Sequence, residues 1–353
     1  MPKKTPSQPT AKAAVTSSSP STSTLIDLKS QQGLLDIYAA SFADVLSSEK
    51  LSETLQEIKQ ALFNRDFAAA FGKTEYLEAY AARWSPTRSL GYAAIFKKLR
   101  NHLNKLAQAQ DAEVNESETE GPDEDLSHLK ELRMLCIGGC AAEHVAFASH
   151  LKSSSLRGIL TLLDSAPWPT ISNKIQHDLT HPLTLSPYAS ASVKEANNAF
   201  IPSSQLSLNI EQQDILSLSK DALEGLTGPG PIIVTLLFTL NELYTGGGIG
   251  KTTKFLGNLG EVLAPESLLL VVDSPGSYSE AAVGKEKKRY PMHWLLDHTL
   301  LEKSPATVKW EKLESQDSIW HRLSEDLTYP IPLENMRYQL HLYLLDKTTT
   351  SAD

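Results

Sequence analysis

From residue 129 onward the chain alternates short apolar runs with helical segments, and this alternation restricts the fold more than any other feature of the sequence. Leu132 to Ile137, Leu156 to Leu163, Leu206 to Ile210, Ile232 to Phe238, Ser267 to Val272 and Tyr338 to Leu345 read as strands. The early runs are apolar on successive residues, the pattern of parallel strands covered on both faces. Segments such as Glu143 to Leu151 and Thr252 to Leu263 have the length and periodicity of crossover helices. An α/β, doubly wound sheet over residues 128–346 is the expected architecture.

Residues 33–110 are expected to be helical and to form a separate N-terminal region. Tyr76, Leu77, Tyr80 and Trp84 recur at helical spacing, and Ser85 with Pro86 signals a fresh helix whose apolar face runs from Tyr92 to Leu106. Residues 1–32, rich in Ser, Thr and Pro, are expected to be a disordered tail, as are residues 347–353. The stretch 111–127 reads as an acidic linker: eight acids and no base fall within 111–125, so the formal charge of −9 conceals a nearly neutral remainder. Residues 81–110 carry Arg83, Arg88, Lys97, Lys98, Arg100 and Lys105 without an acid, a basic face suited to phosphates.

The longest apolar run, Pro231 to Leu240, is far short of the ~20 residues that span a membrane. The two cysteines, Cys136 and Cys140, lie in or just after an apolar strand, where free thiols are commonly buried, and a reducing compartment is inferred. No metal is expected. His177 and His181 stand four apart, but Pro182 follows and the acid of a zinc-protease motif is missing, so they read as a surface loop.

The stretch Thr245-Gly-Gly-Gly-Ile-Gly-Lys-Thr-Thr253 invites comparison with a phosphate-binding loop. A P-loop needs glycine where Thr245 stands, and it must follow a strand directly. Neither condition is met. The run therefore reads as a flexible loop before a helix that starts at Lys251, capped by Thr252 or Thr253.

A better ligand loop follows the first strand, where Gly138, Gly139, Ala141 and Ala142 let a ligand approach the backbone. The second strand ends at Asp164, placed to accept ribose hydroxyls, and the third is followed by Asp214. A full G-x-G-x-x-G is lacking, which disfavours a dehydrogenase and suits S-adenosylmethionine, a nucleoside with no pyrophosphate to seat.

These residues resemble the fungal methyltransferases that act on N3 of a uridine in 25S ribosomal RNA. The resemblance is carried by Tyr80-Ala-Ala-Arg-Trp-Ser-Pro-Thr-Arg-Ser-Leu-Gly-Tyr92, Leu135-Cys-Ile-Gly-Gly139, Thr235-Leu-Leu-Phe-Thr-Leu-Asn-Glu-Leu-Tyr244, Lys254-Phe-Leu256 and Leu270-Val-Val-Asp-Ser-Pro-Gly-Ser-Tyr278. It implies a Rossmann-like class I methyltransferase sheet with S-adenosylmethionine at the ends of its first three strands. Gly138, Gly139 and Glu143 would flank the methionine part, Asp164 the ribose and Asp214 the adenine side. Asn241, Glu242 and Tyr244 would face the transferred methyl, and Asp273 to Tyr278 would wall the base pocket.

Removing the imide proton of uridine needs a base, and Glu242 and Asp273 are the two carboxylates that strand topology brings to the right edge. Phosphate contacts are assigned to Arg88, Lys97 and Lys98 and to Lys285, Lys287, Lys288 and Arg289, in a loop after the fifth strand. The resemblance further implies a monomer acting on ribosomal RNA precursor in the nucleus and nucleolus. That family's first loop is richer in glycine, and Cys140 and Ala141 depart from it; a methyltransferase-like scaffold without catalysis is the alternative reading.

Overall fold

The computed structural model describes residues 22–111, 129–276, 278–283 and 286–347; no side-chain description applies to 22–26, 110–111 and 278–289. All of the expected acidic linker except Asp111, the first 21 residues of the expected N-terminal tail and the last six of the C-terminal one lie outside the described residues.

Nine strands are present among the described residues: β1 Glu131–Ile137, β2 Arg157–Asp164, β3 Leu206–Gln212, β4 Ile233–Leu237, β5 Leu268–Asp273, β6 Tyr278–Val283, β7 Glu286–Pro291, β8 Lys309–His321 and β9 Met336–Asp346. Seven form one sheet in the order β3-β2-β1-β4-β5-β9-β8. The first five run parallel, and β9 enters antiparallel between β5 and β8. The order reverses beside β1, between its neighbours β2 and β4, and this switch point is where an open α/β sheet leaves a crevice for a ligand.

β8 is absent from the sequence expectation for a physical reason. As an edge strand it alternates charged and apolar residues, and its burial is partial along most of its length, so it lacks the apolar run that marks the central strands. The remaining two strands, β6 and β7, form a separate antiparallel hairpin where a loop was expected.

The N-terminal helices are not a separate unit. Leu34, Tyr38, Leu77, Tyr92 and Phe96 share one apolar core with Met134, Phe147 and Leu340, on one side of the sheet. Leu236, Tyr244, Phe255, Leu296 and Tyr343 fill the other side. The first helix spans Thr22–Ser41, so part of the expected tail is helical.

The helix Thr74–Lys98 runs uninterrupted through Pro86, against the expected break at Ser85. Proline removes the hydrogen bond to the carbonyl four residues back, that of Ala82. The Tyr329 hydroxyl supplies the lost partner, donating to Ala82 O at 2.8 Å. A long-range contact thus replaces the missing local one.

Candidate functional site

β1 ends in a turn that only glycine permits. Gly138 has φ +69°, and a Cβ there would lie 2.5 Å from the Thr239 side chain. Its N–H donates to Leu163 O at 2.8 Å, which ties the turn to the end of β2. Gly139 serves packing rather than the ligand: its Cβ would sit 2.5 Å from that of Cys136, and it lines no part of the cleft.

The helix Ala141–Ser154 begins next. Cys140 N–H donates to Glu143 Oε2 at 2.9 Å, closing the helix start from within. The first turn is braced from the N-terminal helices, with Tyr38 donating to Ala141 O at 2.7 Å and Ser89 Oγ to Ala142 O at 3.1 Å. Because Gly138 already supplies the turn, Cys140 and Ala141 fall on the helix cap, where a glycine is not needed.

Two connected spaces open at this edge. The outer cleft, about 340 Å³, lies against Gly138, Asp164, Asp214, Leu216, Glu242 and Gly247. That volume suits a small-molecule site. Asp164 Oδ1 accepts from Ala166 N at 2.7 Å, and burial pushes its carboxyl up to about 6 against the pull of its hydrogen bonds. Asp214 is exposed, and its Oδ1 accepts from Leu216 N at 3.0 Å, fixing the loop after β3.

The glycine run is part of this cleft, not a flexible loop beside it. Leu243–Gly247 is a π-helical turn. A Cβ at Gly247 would collide with Leu216 Cδ1 at 2.0 Å, so the run packs against the β3 loop. The helix that follows starts at Ile249, with Gly248 as its cap at φ +83°, and Thr252 is fully buried with its hydroxyl donating to Gly248 O at 3.0 Å. Neither threonine is the cap. Gly246, Gly247, Lys251 and the Phe67–Phe71 helix are cleft residues that sequence reasoning did not assign.

The inner chamber, about 70 Å³, shares Gly138, Asp164 and Glu242 with the cleft and adds Tyr80, Arg88, Glu143 and Phe238. Arg88, expected on RNA, points inward and donates from Nη1 to the Tyr80 hydroxyl at 2.6 Å. Its guanidinium carbon lies 5.1 Å from the Phe238 ring centroid. Glu143 is buried, and desolvation pushes its carboxyl up to about 7 against two backbone hydrogen bonds and Arg88. Glu242 opens on the cleft but is walled by protein; desolvation raises it to about 7, Arg88 opposes the rise, and Asp273 and Asp164 add to it.

Phe238 has φ +59° directly after β4. A bulky residue held there costs on the order of 1–3 kcal/mol, and such strain concentrates at functional sites.

Two expected catalytic residues stand elsewhere. Tyr244 is 1% exposed within the apolar core on the far face of the sheet and does not line the cleft, because the π-helical turn carries its ring inward. Asp273 is 3% exposed and engaged: its Oδ2 accepts from Asn241 N at 3.0 Å and its Oδ1 from Ser274 N at 2.7 Å. It joins the turn after β4 to the end of β5. The Asn241 backbone is held by that bond, and its Oδ1 is buried with no hydrogen-bond partner among the described residues.

The basic helix face is largely engaged within the chain. Lys97 pairs with Asp27 at 2.8 Å, Arg83 with Glu334, and Arg100 with the Ser153 carbonyl, while Lys98 is exposed. Lys287, Lys288 and Arg289 belong to β7 and Tyr278 to β6, so they lie on the hairpin; Lys285 falls outside the described residues. His177 and His181 stack at the end of the helix Pro169–Thr180, not in a loop, and no metal-binding cluster occurs among the described residues.

A mixed seven-stranded sheet of this order, with a glycine turn after β1 and acids after β2 and β3, defines a Rossmann-like class I methyltransferase. The residues present fit S-adenosylmethionine: the Gly138 turn allows close backbone approach, and Asp164 and Asp214 edge a cleft of matching size.

A family model for SAM-dependent methyltransferases, Methyltransf_34, matches residues 38–344, and the chain belongs to this family. It is 31% identical over 344 residues to the 25S rRNA (uridine(2843)-N(3))-methyltransferase of Saccharomyces cerevisiae, spanning 89% of this chain and 85% of that one. Among solved structures it is similar to an O-methyltransferase family protein from Burkholderia thailandensis, with TM-score 0.36 and 11% identity over 86% of this chain and 74% of that one. It is also similar to the 16S rRNA (adenine(1408)-N(1))-methyltransferase of Catenulisporales acidiphilia, with TM-score 0.33 and 15% identity over 61% of this chain and 88% of that one. The protein is an S-adenosylmethionine-dependent enzyme.

Proposed function

We propose that this enzyme methylates N3 of a uridine in 25S ribosomal RNA, with Glu242 as the base that takes the imide proton. The observation that carries the reading is the state of Glu242. It lies in the wall common to cleft and chamber, its carboxyl is raised to about 7, and its side chain has no hydrogen-bond partner among the described residues. A base poised near neutrality is matched to abstracting a weakly acidic proton. The yeast relative's activity supports the same substrate.

S-adenosylmethionine supplies an electrophilic methyl on a sulfonium. The protein's own part is placement and proton removal. Asp164 would accept from the ribose hydroxyls, and Asp214 and Leu216 would border the adenine. Arg88 would pair with the methionine carboxylate and Glu143 with its ammonium, and the Gly138 turn leaves the backbone there open to the cofactor. The N3 edge of a paired uridine is occupied, so the target base is unpaired or flipped when it reacts. Lys287, Lys288 and Arg289 on the hairpin, with Lys285 and Lys98, neutralise phosphates. The enzyme acts as a monomer on precursor rRNA in the nucleolus, in ribosome biogenesis.

The test is methyl transfer to 25S rRNA from cells lacking the protein, read by nucleoside mass spectrometry. 3-Methyluridine is the expected product, and a methyl on any other atom would sink the assignment. Asp164→Ala weakens S-adenosylmethionine binding about 10- to 150-fold by calorimetry, from the ~1.5–3 kcal/mol of a charged hydrogen bond.

A further inference from the structure

The edge strand β8 contains a bulge that decides where one tryptophan points. Its pairing with β9 runs from Gln316 opposite Leu340 to Ile319 opposite Tyr338, so three residue steps on β8 match two on β9. Directly opposite residues share a face, and a shift by one moves every later side chain to the other face. Without the extra residue, Trp320 would stand opposite Met336, which is buried in the core that the sheet shares with the N-terminal helices. With it, Trp320 stands opposite Arg337 and is 52% exposed. An aromatic that regular pairing would bury is thus delivered to solvent.

Two arginines stand beside the exposed ring. The guanidinium carbon of Arg322 lies 5.5 Å from the Trp320 ring centroid and that of Arg337 5.7 Å, both within cation–π range. Arg337 Nε donates to Ser318 Oγ at 2.9 Å, which leaves its terminal nitrogens without a hydrogen-bond partner among the described residues. Arg322 makes no hydrogen bond or ion pair among them. Glu334, the acid three residues before Arg337, is committed to Arg83. Lys97, Arg83 and Arg100 have partners within the chain, whereas these two cations each keep an unused fork.

The patch stands at the cleft edge of the sheet. Gln339 pairs with Asp273, the last residue of β5, and Asp273 in turn holds the Asn241 backbone next to Glu242. Arg337 lies two residues nearer the start of β9, so it stands beyond the end of β5 at that same edge. An open indole stacks on any base, and guanidinium groups fork phosphate oxygens or lie on base planes. In a duplex the base faces are covered by their neighbours. A protein strand fits poorly, because the two register shifts of β8 break the edge it would have to pair with.

We propose that Trp320, Arg322 and Arg337 form a docking surface for single-stranded RNA next to the target uridine. One base stacks on the indole, and the two guanidinium groups take backbone phosphates. The assignment rests on the rRNA methyltransferase reading and adds where the strand beside the target is held.

The test uses the full chain with two probes, a short uridine-containing single-stranded RNA and the duplex of that strand, read by fluorescence anisotropy at several salt concentrations. Trp320→Ala is expected to weaken single-strand binding about 5- to 150-fold, the effect of one stacked base, and Trp320→Phe to regain most of it. The double variant Arg322→Ala, Arg337→Ala should lower the slope of log affinity against log salt by about 1.4, two phosphates at about 0.7 each on a single strand. In all three variants thermal unfolding and S-adenosylmethionine affinity should be unchanged, and the KM for 25S rRNA should rise while kcat holds. Wild-type single-strand affinity in Trp320→Ala, equal weakening on the duplex, or an unchanged salt slope in the arginine variant overturns the surface. Loss of cofactor affinity in step with RNA affinity overturns it too, since Trp320 would then serve the fold. Wild-type protein that binds the single strand through these residues but forms no 3-methyluridine would fail the functional reading and leave the surface standing.

Discussion

The carboxyl ends of β4 and β5 lie side by side in the sheet, and each is followed or ended by an acid that strand topology makes a candidate base. The structure treats the two oppositely. Asp273 is buried with both oxygens occupied by backbone N–H groups, a carboxylate whose charge is spent on holding two chain segments together. Glu242 is exposed to the cleft, yet the protein around its carboxyl, with no hydrogen bond among the described residues to hold it ionised, raises its affinity for a proton to about 7. Position at the sheet edge nominates both residues, and hydrogen-bond satisfaction separates them: the occupied one holds two chain segments together, and the open one is the base we propose.

The largest effect that would break this contrast is in Glu242→Gln. Loss of the base is expected to lower kcat by about 10²- to 10⁴-fold with cofactor affinity nearly unchanged. In the wild type, activity should rise with pH through about 7 as Glu242 loses its proton, and the variant should lack that acid limb. A Gln variant with wild-type turnover and the same pH profile would return the assignment to another group.

Asp273→Ala should show the reverse pattern. Leaving the N–H groups of Asn241 and Ser274 without this acceptor is expected to cost on the order of 1–3 kcal/mol each in urea unfolding, with the folded fraction retaining most of its turnover. A stable but inactive Asp273 variant would reverse the roles of the two acids.

The smallest effect concerns the chamber as a whole. Glu143 has a folded-state pKa raised to about 7 from a usual value near 4.5, so the folded protein binds this proton more tightly than the unfolded chain. Stability from this group is present below pH about 4.5 and is lost as pH rises through about 7. Cofactor-free protein should therefore lose stability across that window, and Glu143→Gln should flatten the decline. An unchanged slope in the variant would mean that Glu143 is solvated.

β1, β2, β4, β5 and β9 are legible in the sequence because a strand covered on both faces must be apolar at successive positions, and β3, at the opposite edge, because Leu206, Leu208 and Ile210 alternate with polar residues. Gly138, Asp164, Asp214 and Glu242 were nominated because each lies at, or within five residues of, the end of a strand, and all four stand against the cleft. Reading along the chain missed β8, whose exposed face admits charges, and it broke the long helix at Pro86, because the Tyr329 hydroxyl that repairs the Ala82 carbonyl is 247 residues away. Tyr244 looked like a stacking partner for the base, and only the π-helical turn, which rotates its ring into the core, shows otherwise.

The amino-acid sequence by itself determined the class of fold, the nucleotide-type cofactor edge and the acids along it, because these depend on short-range periodicity and on which residues follow a strand. Tertiary packing alone decided what surrounds those acids. Arg88 turning inward beside Glu143 and Phe238 held in a left-handed backbone bring together residues distant in the chain. Whether a carboxylate is satisfied or exposed to the cleft is a property of such neighbours, and no local pattern encodes it.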